Sequence, residues 1–137
     1  MMSSTFARLM QPLLRHLNVT APAIGAGQAI KVDFAHLQIQ FTPLESQELL
    51  MVASLGALPA QMDESLPWRL LAENSVEQPT PAISLAVLGE NRTLILWSRE
   101  RFVQLDTPAL IALFDRLVDK ANRLVGVVSA ASQREMA

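Results

Sequence analysis

The sequence predicts an α+β domain: an antiparallel, twisted sheet of about five strands with helices packed against it, in the order α-β-β-β-α-β-β-α. Three observations point there. The stretch from Ala82 to Val125 reads as a strand, a tight turn, a second strand, a short loop and a long amphipathic helix. Ala29 to Phe41 alternates apolar and polar residues, the two-residue period of strands with one buried face. The opening residues and a segment near the middle carry the three- and four-residue spacing of helices. Strands joined by short breaks, with helices before, between and after them, make an α+β layer arrangement.

Ser3 or Ser4 can cap the first helix, whose apolar stripe is Phe6, Leu9, Met10, Leu13, Leu14 and Leu17. Pro12 falls inside this stripe and is expected to kink the helix or restrict it to two short pieces. Thr20 to Gln28 is a connector by composition, broken by Pro22, Gly25 and Gly27. It does not match a nucleotide-binding glycine fingerprint, because the spacing is wrong and no helix follows. Ile30, Val32 and Phe34 then share one strand face, and Leu37, Ile39 and Phe41 share the next; the parity changes at Ala35-His36, which requires a turn or bulge there. Pro43 and Glu45 to Gln47 form the next break. Leu49 to Leu55 is apolar on both faces, as in a central strand covered on both sides. Gly56 to Pro67 reads as a loop. Leu66 to Val76 reads as a short helix with Trp68, Leu71, Ala72 and Val76 as its apolar positions, closed by Gln78 to Pro81.

In the hairpin, Ile83, Leu85 and Val87 alternate with Ser84 and Ala86, and Gly89-Glu90-Asn91 supplies residues that tolerate positive φ. Thr93 to Arg99 is the second strand, with Leu94 and Leu96 on one side and Ile95 and Trp97 on the other. Leu105-Asp106-Thr107-Pro108 is a helix start: Asp106 or Thr107 can cap the free amides, and Pro108 loses no bond in the first turn. The last helix carries Leu110, Leu113, Phe114, Leu117, Ala121, Leu124 and Val125 on one stripe. From Ser129 to Ala137 the residues are small and polar and are expected to fray. No linker divides the chain, so residues 1–137 are expected to form one domain.

Composition narrows the function. Half of the 137 residues (50%) are hydrophobic, only 18% are charged, and the mean hydropathy is +0.26, which is high for so small a domain. No run of about 18 apolar residues is present, so a partner or a second copy is a better cover for this surface than a membrane. The net charge is −2 and Lys31 and Lys120 are the only lysines, which disfavours nucleic acid. With no cysteine, disulfides, thiol catalysis and cysteine-held zinc are excluded. The N-terminus lacks the basic and apolar regions of a secretory signal, so a cytoplasmic protein is expected.

Nor does an active site emerge. His16 and His36 each have an ordinary surface explanation, and neither has a second metal ligand at chelating spacing. No serine sits in a G-x-S-x-G elbow. Asp63-Glu64, and Asp115 with Asp119 beside Arg116, Lys120 and Arg123, read as solvated charge. No catalytic residue, metal or cofactor is expected. What remains is surplus apolar surface: Trp68, Leu70 and Leu71 cover more than one face of a short helix, and both sides of the strand from Thr93 are apolar. An obligate subunit interface, which commonly buries ~2,000 Å² or more, together with a binding groove, would use it.

The opening helix FARLMQPLLRHL, the hairpin strand ILWSRERFVQLD and the closing helix TPALIALFDRLVDKANRL, in this order, resemble the class I, Tir-chaperone-like chaperones of bacterial type III secretion. The resemblance spans Phe6 to about Leu124. It implies a homodimer that needs no ATP, paired through Leu66 to Val76 and Ala82 to Val87, with Leu66, Trp68, Leu70, Leu71, Ile83, Leu85 and Trp97 as interface residues. It further implies that the N-terminal segment of a secreted effector wraps the dimer in extended form, with the secretion ATPase as a further partner. Phe6, Leu9 and Leu13 of the first helix, with Val32, Phe34, Ile39 and Phe41 of the strands, would form the effector groove or the internal core. Two other readings compete: a structural or regulatory subunit of a secretion apparatus, and a small-molecule-binding α+β protein or enzyme using His36.

Overall fold

The computed structural model describes residues 2–18, 29–34, 36–89 and 91–136, with side chains from 5 to 130 of these. The expected connector Thr20–Gln28, together with Ala35 and Glu90, lies outside the described residues, and the side chains of Ser3 and Ser4 do too. The order of elements is α1 (Met2–His16), β1 (Ile30–Phe34), β2 (Leu37–Leu44), β3 (Glu48–Ala57), α2 (Ser65–Ala72), β4 (Ser84–Leu88), β5 (Thr93–Arg101), a 3-10 turn (Phe102–Gln104) and α3 (Thr107–Met136). The strands form one antiparallel sheet in the order β1-β2-β3-β5-β4, which leaves β1 and β4 at the edges.

Residue pattern explains the joints. Phe34 pairs with Leu37, so the parity change is a two-residue connection, and His36 takes a φ of 65° to close it. Pro43 lies inside β2 opposite Leu49 and is not a break. The β1 ladder ends at Ile30 opposite Phe41, so the missing N–H of Pro43 leaves no bond of that ladder unmade. Between Ser54 and Gly56 the β3–β5 register shifts, and Gly56 adopts a φ of +91° that a side chain would strain. Among the described residues of the β4–β5 turn, the left-handed one is Arg92 (φ 51°), not Gly89 or Asn91. Its guanidinium donates to the Ala60 carbonyl at 3.2 Å, and its own carbonyl accepts from the Leu58 amide. These bonds hold the turn against the loop that precedes α2.

Helices α1 and α3 cover one face of the sheet. Phe6, Met10, Leu13 and Leu14 of α1 and Leu110, Leu113, Phe114, Leu117, Ala121 and Leu124 of α3 are buried with Val32, Ile39, Phe41, Met51 and Leu96 of the strands. The Phe114 ring meets Phe34 edge-on at 5.4 Å and stacks on Phe41 at 6.1 Å. Asp106 is the cap of α3, its Oδ1 accepting from the Ala109 amide at 2.8 Å. Contrary to expectation, Pro12 does not divide α1, which runs unbroken. Four buried side chains, each contributing roughly 1.5–3 kcal/mol, outweigh the ~3 kcal/mol that an interior proline costs. α3 continues to Met136, through the segment from Ser129 that composition set apart.

Two expectations change. β3 is central, but only Leu49, Met51 and Ala53 are buried; Leu50 and Val52 on the opposite face are half-buried, so the helices cover one side of it. The α2 helix ends at Ala72, and the pair it buries is Leu66 and Leu70. Its expected apolar positions point outward instead: Trp68 is 75% exposed and Leu71 63%, while Val76, beyond the helix, is 98% exposed.

Candidate protein-binding surfaces

The seven residues proposed for an effector groove divide by burial. Phe6, Leu13, Val32, Ile39 and Phe41 are core residues under the helices, whereas Leu9 and Phe34 are half-buried at the surface. Strand periodicity identifies the apolar face, but not how closely a helix is laid on it. Beside these residues runs β1. Among the described residues, no side chain or backbone group bonds its outer edge.

At the opposite edge, α2 and β4 enclose an apolar groove of ≈ 330 Å³ between Leu58, Met62, Pro67, Leu71, Leu85 and Val87. Leu71 and Val87 (48% exposed) of its lining reach solvent, and the same two elements expose Trp68 on α2 and Leu88 (55%) on β4. Of the residues expected at a dimer interface, Leu70, Leu71 and Leu85 line this groove, and Trp68 is exposed on α2 outside its lining. Leu66 and Ile83 are buried within the chain. Trp97 is half-buried on the sheet face away from α1 and α3, between Val52 of β3 and Ser84 of β4. Val87, Leu88, Leu58 and Met62 were not among the expected interface residues. The consecutive apolar pair Val87-Leu88 was the available signal, since a one-faced strand has no need of both.

A polar clamp fixes this side of the molecule. Three cations at successive turns of α3 reach across to the segment between α2 and β4. Arg116 donates to the carbonyls of Pro79 and Pro81, each at 3.1 Å. Lys120 Nζ donates to the carbonyls of Glu73 at 2.9 Å and Ile83 at 3.2 Å. Arg123 makes a two-pronged bond to the Glu73 carboxylate at 2.6 and 2.8 Å. The hydrogen bonds from Arg123 hold the Glu73 carboxyl below its ordinary value despite partial burial, and burial lowers the Lys120 ammonium. These cations are structural and not merely solvated. Their spacing along α3 was visible in the sequence, whereas the segment they grip was not. Ser98, buried at 1% exposure, donates to the Ala82 carbonyl at 2.8 Å and ties the entry of β4 to β5.

Among the described residues, no three His, Asp or Glu side chains converge as a metal site, and no helix is long and apolar enough to cross a membrane. The surfaces that stand out are therefore apolar and strand-like, suited to other polypeptides.

Residues 8–125 match the model of the Tir chaperone protein (CesT) family. The chain belongs to this family of chaperones. Comparison with curated protein sequences gives no match. Solved structures share the fold of this Tir-chaperone-family chain. In the crystal structure of the Yersinia pestis type III secretion chaperone SycH with a stable fragment of YscM2, a chain superimposes with a TM-score of 0.70. Its identity is 20%, over 87% of this chain and 98% of its own. A chain of the heterodimeric ExoU–SpcU complex from the type III secretion system of Pseudomonas aeruginosa gives 0.68 at 24% identity, over 93% and 98%. A chain of the ExsC–ExsE complex gives 0.73 at 15% identity, over 92% and 95%.

Proposed function

We propose that this chain is a non-enzymatic type III secretion chaperone of the bacterial cytoplasm. In this reading it pairs with a second copy and holds the N-terminal segment of a secreted effector extended and competent for export, without consuming ATP. The observation that carries the reading is the apolar surface around α2 and β4. Trp68, Leu71, Val87 and Leu88 are a costly set to leave in water on so small a domain, and a second copy would cover them.

The effector then meets the β1 side. Its backbone adds to the β1 edge, while its apolar side chains rest on Leu9 and Phe34; the buried Phe6, Leu13, Val32, Ile39 and Phe41 form the platform beneath. Ordering a disordered segment costs several kcal/mol, which a long wrapped contact offsets. Handing that segment to the secretion ATPase is the downstream step this role assigns. Solved relatives with bound partners lend support: one is a type III secretion chaperone with a YscM2 fragment, another the heterodimeric ExoU–SpcU complex.

The test is to purify the tagged chain from its host, weigh the assembly by light scattering and native mass spectrometry, and map the bound protein by limited proteolysis. Two copies protecting one N-terminal segment is the expected result. A lone monomer sinks the proposal, and a dimer that binds only folded proteins points to a structural or regulatory subunit.

A further inference from the structure

A sheet with two open edges on one molecule invites head-to-tail pairing: β1 of one copy adds to β4 of the next, a contact that never closes and runs into filaments. Sealing one edge is enough to prevent it. In this chain the first half of β4 is sealed by side chains. As an edge strand it pairs only with β5, so every second residue directs its N–H and C=O away from the sheet. Those residues are Ile83, just before the strand, Leu85 and Val87. The Ile83 amide donates to Gln78 Oε1 at 2.9 Å, and its carbonyl accepts from Lys120 Nζ at 3.2 Å. The Leu85 amide donates to Asn74 Oδ1 at 2.6 Å, and its carbonyl accepts from Asn74 Nδ2 at 3.0 Å. Asn74 thus offers Leu85 the donor and acceptor that a neighbouring strand would offer. Four of these six outward backbone groups are met by three side chains, two from the segment between α2 and β4 and one from α3; among the described residues nothing meets those of Val87.

We infer that Asn74, Gln78 and Lys120 are specificity-determining guards: they close the first half of the β4 edge, leaving too short an open stretch for the β1 edge of a second copy, and so keep β1 free for the partner segment. The inference rests on the reading of β1 as the strand-accepting edge. It also assigns how two copies meet at α2 and β4, through side-chain packing and not through a continuous sheet.

Amide hydrogen exchange followed by NMR, with light scattering across a concentration series, tests this on the full chain. In the wild type, the Ile83 and Leu85 amides are slow. Asn74→Ala speeds Leu85 by about tenfold and leaves Ile83 slow, whereas Asn74→Asp, which keeps the acceptor, leaves Leu85 slow. The Asn74→Ala/Gln78→Ala double variant keeps its circular dichroism and grows with concentration beyond the wild-type size, reversibly on dilution. Freed amides with an assembly that stays at the wild-type size overturn the inference, as do fast Ile83 and Leu85 amides in the wild type. Should the double variant unfold, Asn74→Ala alone carries the size measurement against Asn74→Asp. Slow outer amides on β1 in the free chain would instead count against the function proposed above, so the two failures read out at different strands.

Discussion

At one edge of the sheet, the outward groups of Ile83 and Leu85 are taken up by Gln78, Lys120 and Asn74, and apolar side chains gather beside them. At the other, β1 presents backbone with no bonding partner among the described residues, and of the seven groove candidates two, Leu9 and Phe34, are half-buried. The contrast matches two kinds of binding. Shape-matched side-chain packing suits a fixed partner such as a second copy, because it rewards one complementary surface. Backbone pairing suits variable partners, because every extended peptide carries the same N–H and C=O groups. A small domain with both can hold itself constant while its cargo varies.

The largest expected effect breaks the α2/β4 side. Leu71→Asp places a charge in a surface that is apolar in the free chain, and a dimer there should weaken by about 100-fold or more. Sedimentation should show monomers at micromolar concentration while the melting temperature at matched subunit concentration falls only through lost association. A variant that stays dimeric moves the interface elsewhere. Next comes the β1 side. Leu9→Ser should weaken effector binding by roughly tenfold, about 1.4 kcal/mol, in titration calorimetry and leave the dimer intact. If both properties fall together, the two regions are not separable.

Glu73→Gln sharpens the comparison, because the clamp braces only the α2/β4 side. The Glu73 carboxyl titrates below its ordinary value of 4.5, so its contribution is complete above that value and fades as the pH falls through the lower folded-state value. Wild type should exceed Glu73→Gln by ~1 kcal/mol in denaturant melts at pH 7, and the gap should narrow as the pH falls below the ordinary carboxyl value of 4.5. A gap independent of pH would mean that the carboxylate charge does nothing here. The smallest effect is the control: Asp106→Ala removes the α3 cap, remote from both edges, and should cost roughly 0.5–1 kcal/mol while changing neither assembly nor binding.

Much of the fold was legible from residue order. The α3 stripe from Leu110 to Leu124 and the alternations of β1 and β2 read directly into the structure, because each element buries one face, and of the two caps the sequence offered, Thr107 and Asp106, it is Asp106 that bonds. The sites were less legible. In α2, Leu66, Trp68, Leu70 and Leu71 crowd eight residues, so period alone could not separate the buried pair from the exposed one. Phe6, Leu13, Val32, Ile39 and Phe41 have the pattern of either a groove or a core, and only the placement of α1 and α3 decides. Asn74 and Gln78 look like ordinary loop polars until their bonding partners on β4 are known.

The strand order also bears on how the chain reaches this state. The β1-β2-β3 meander and the β4–β5 hairpin each pair neighbours in sequence and can form quickly. The join between them cannot: Glu48 must find Arg101 and Ala57 must find Thr93, with α2 and both its flanking loops held out as a closed loop. That closure carries the entropy cost before any contact repays it, so the central β3–β5 seam is the expected barrier to folding. Until it zips, the apolar faces of both halves lie bare. A protein that shields others from aggregation must first complete its own sheet from the middle.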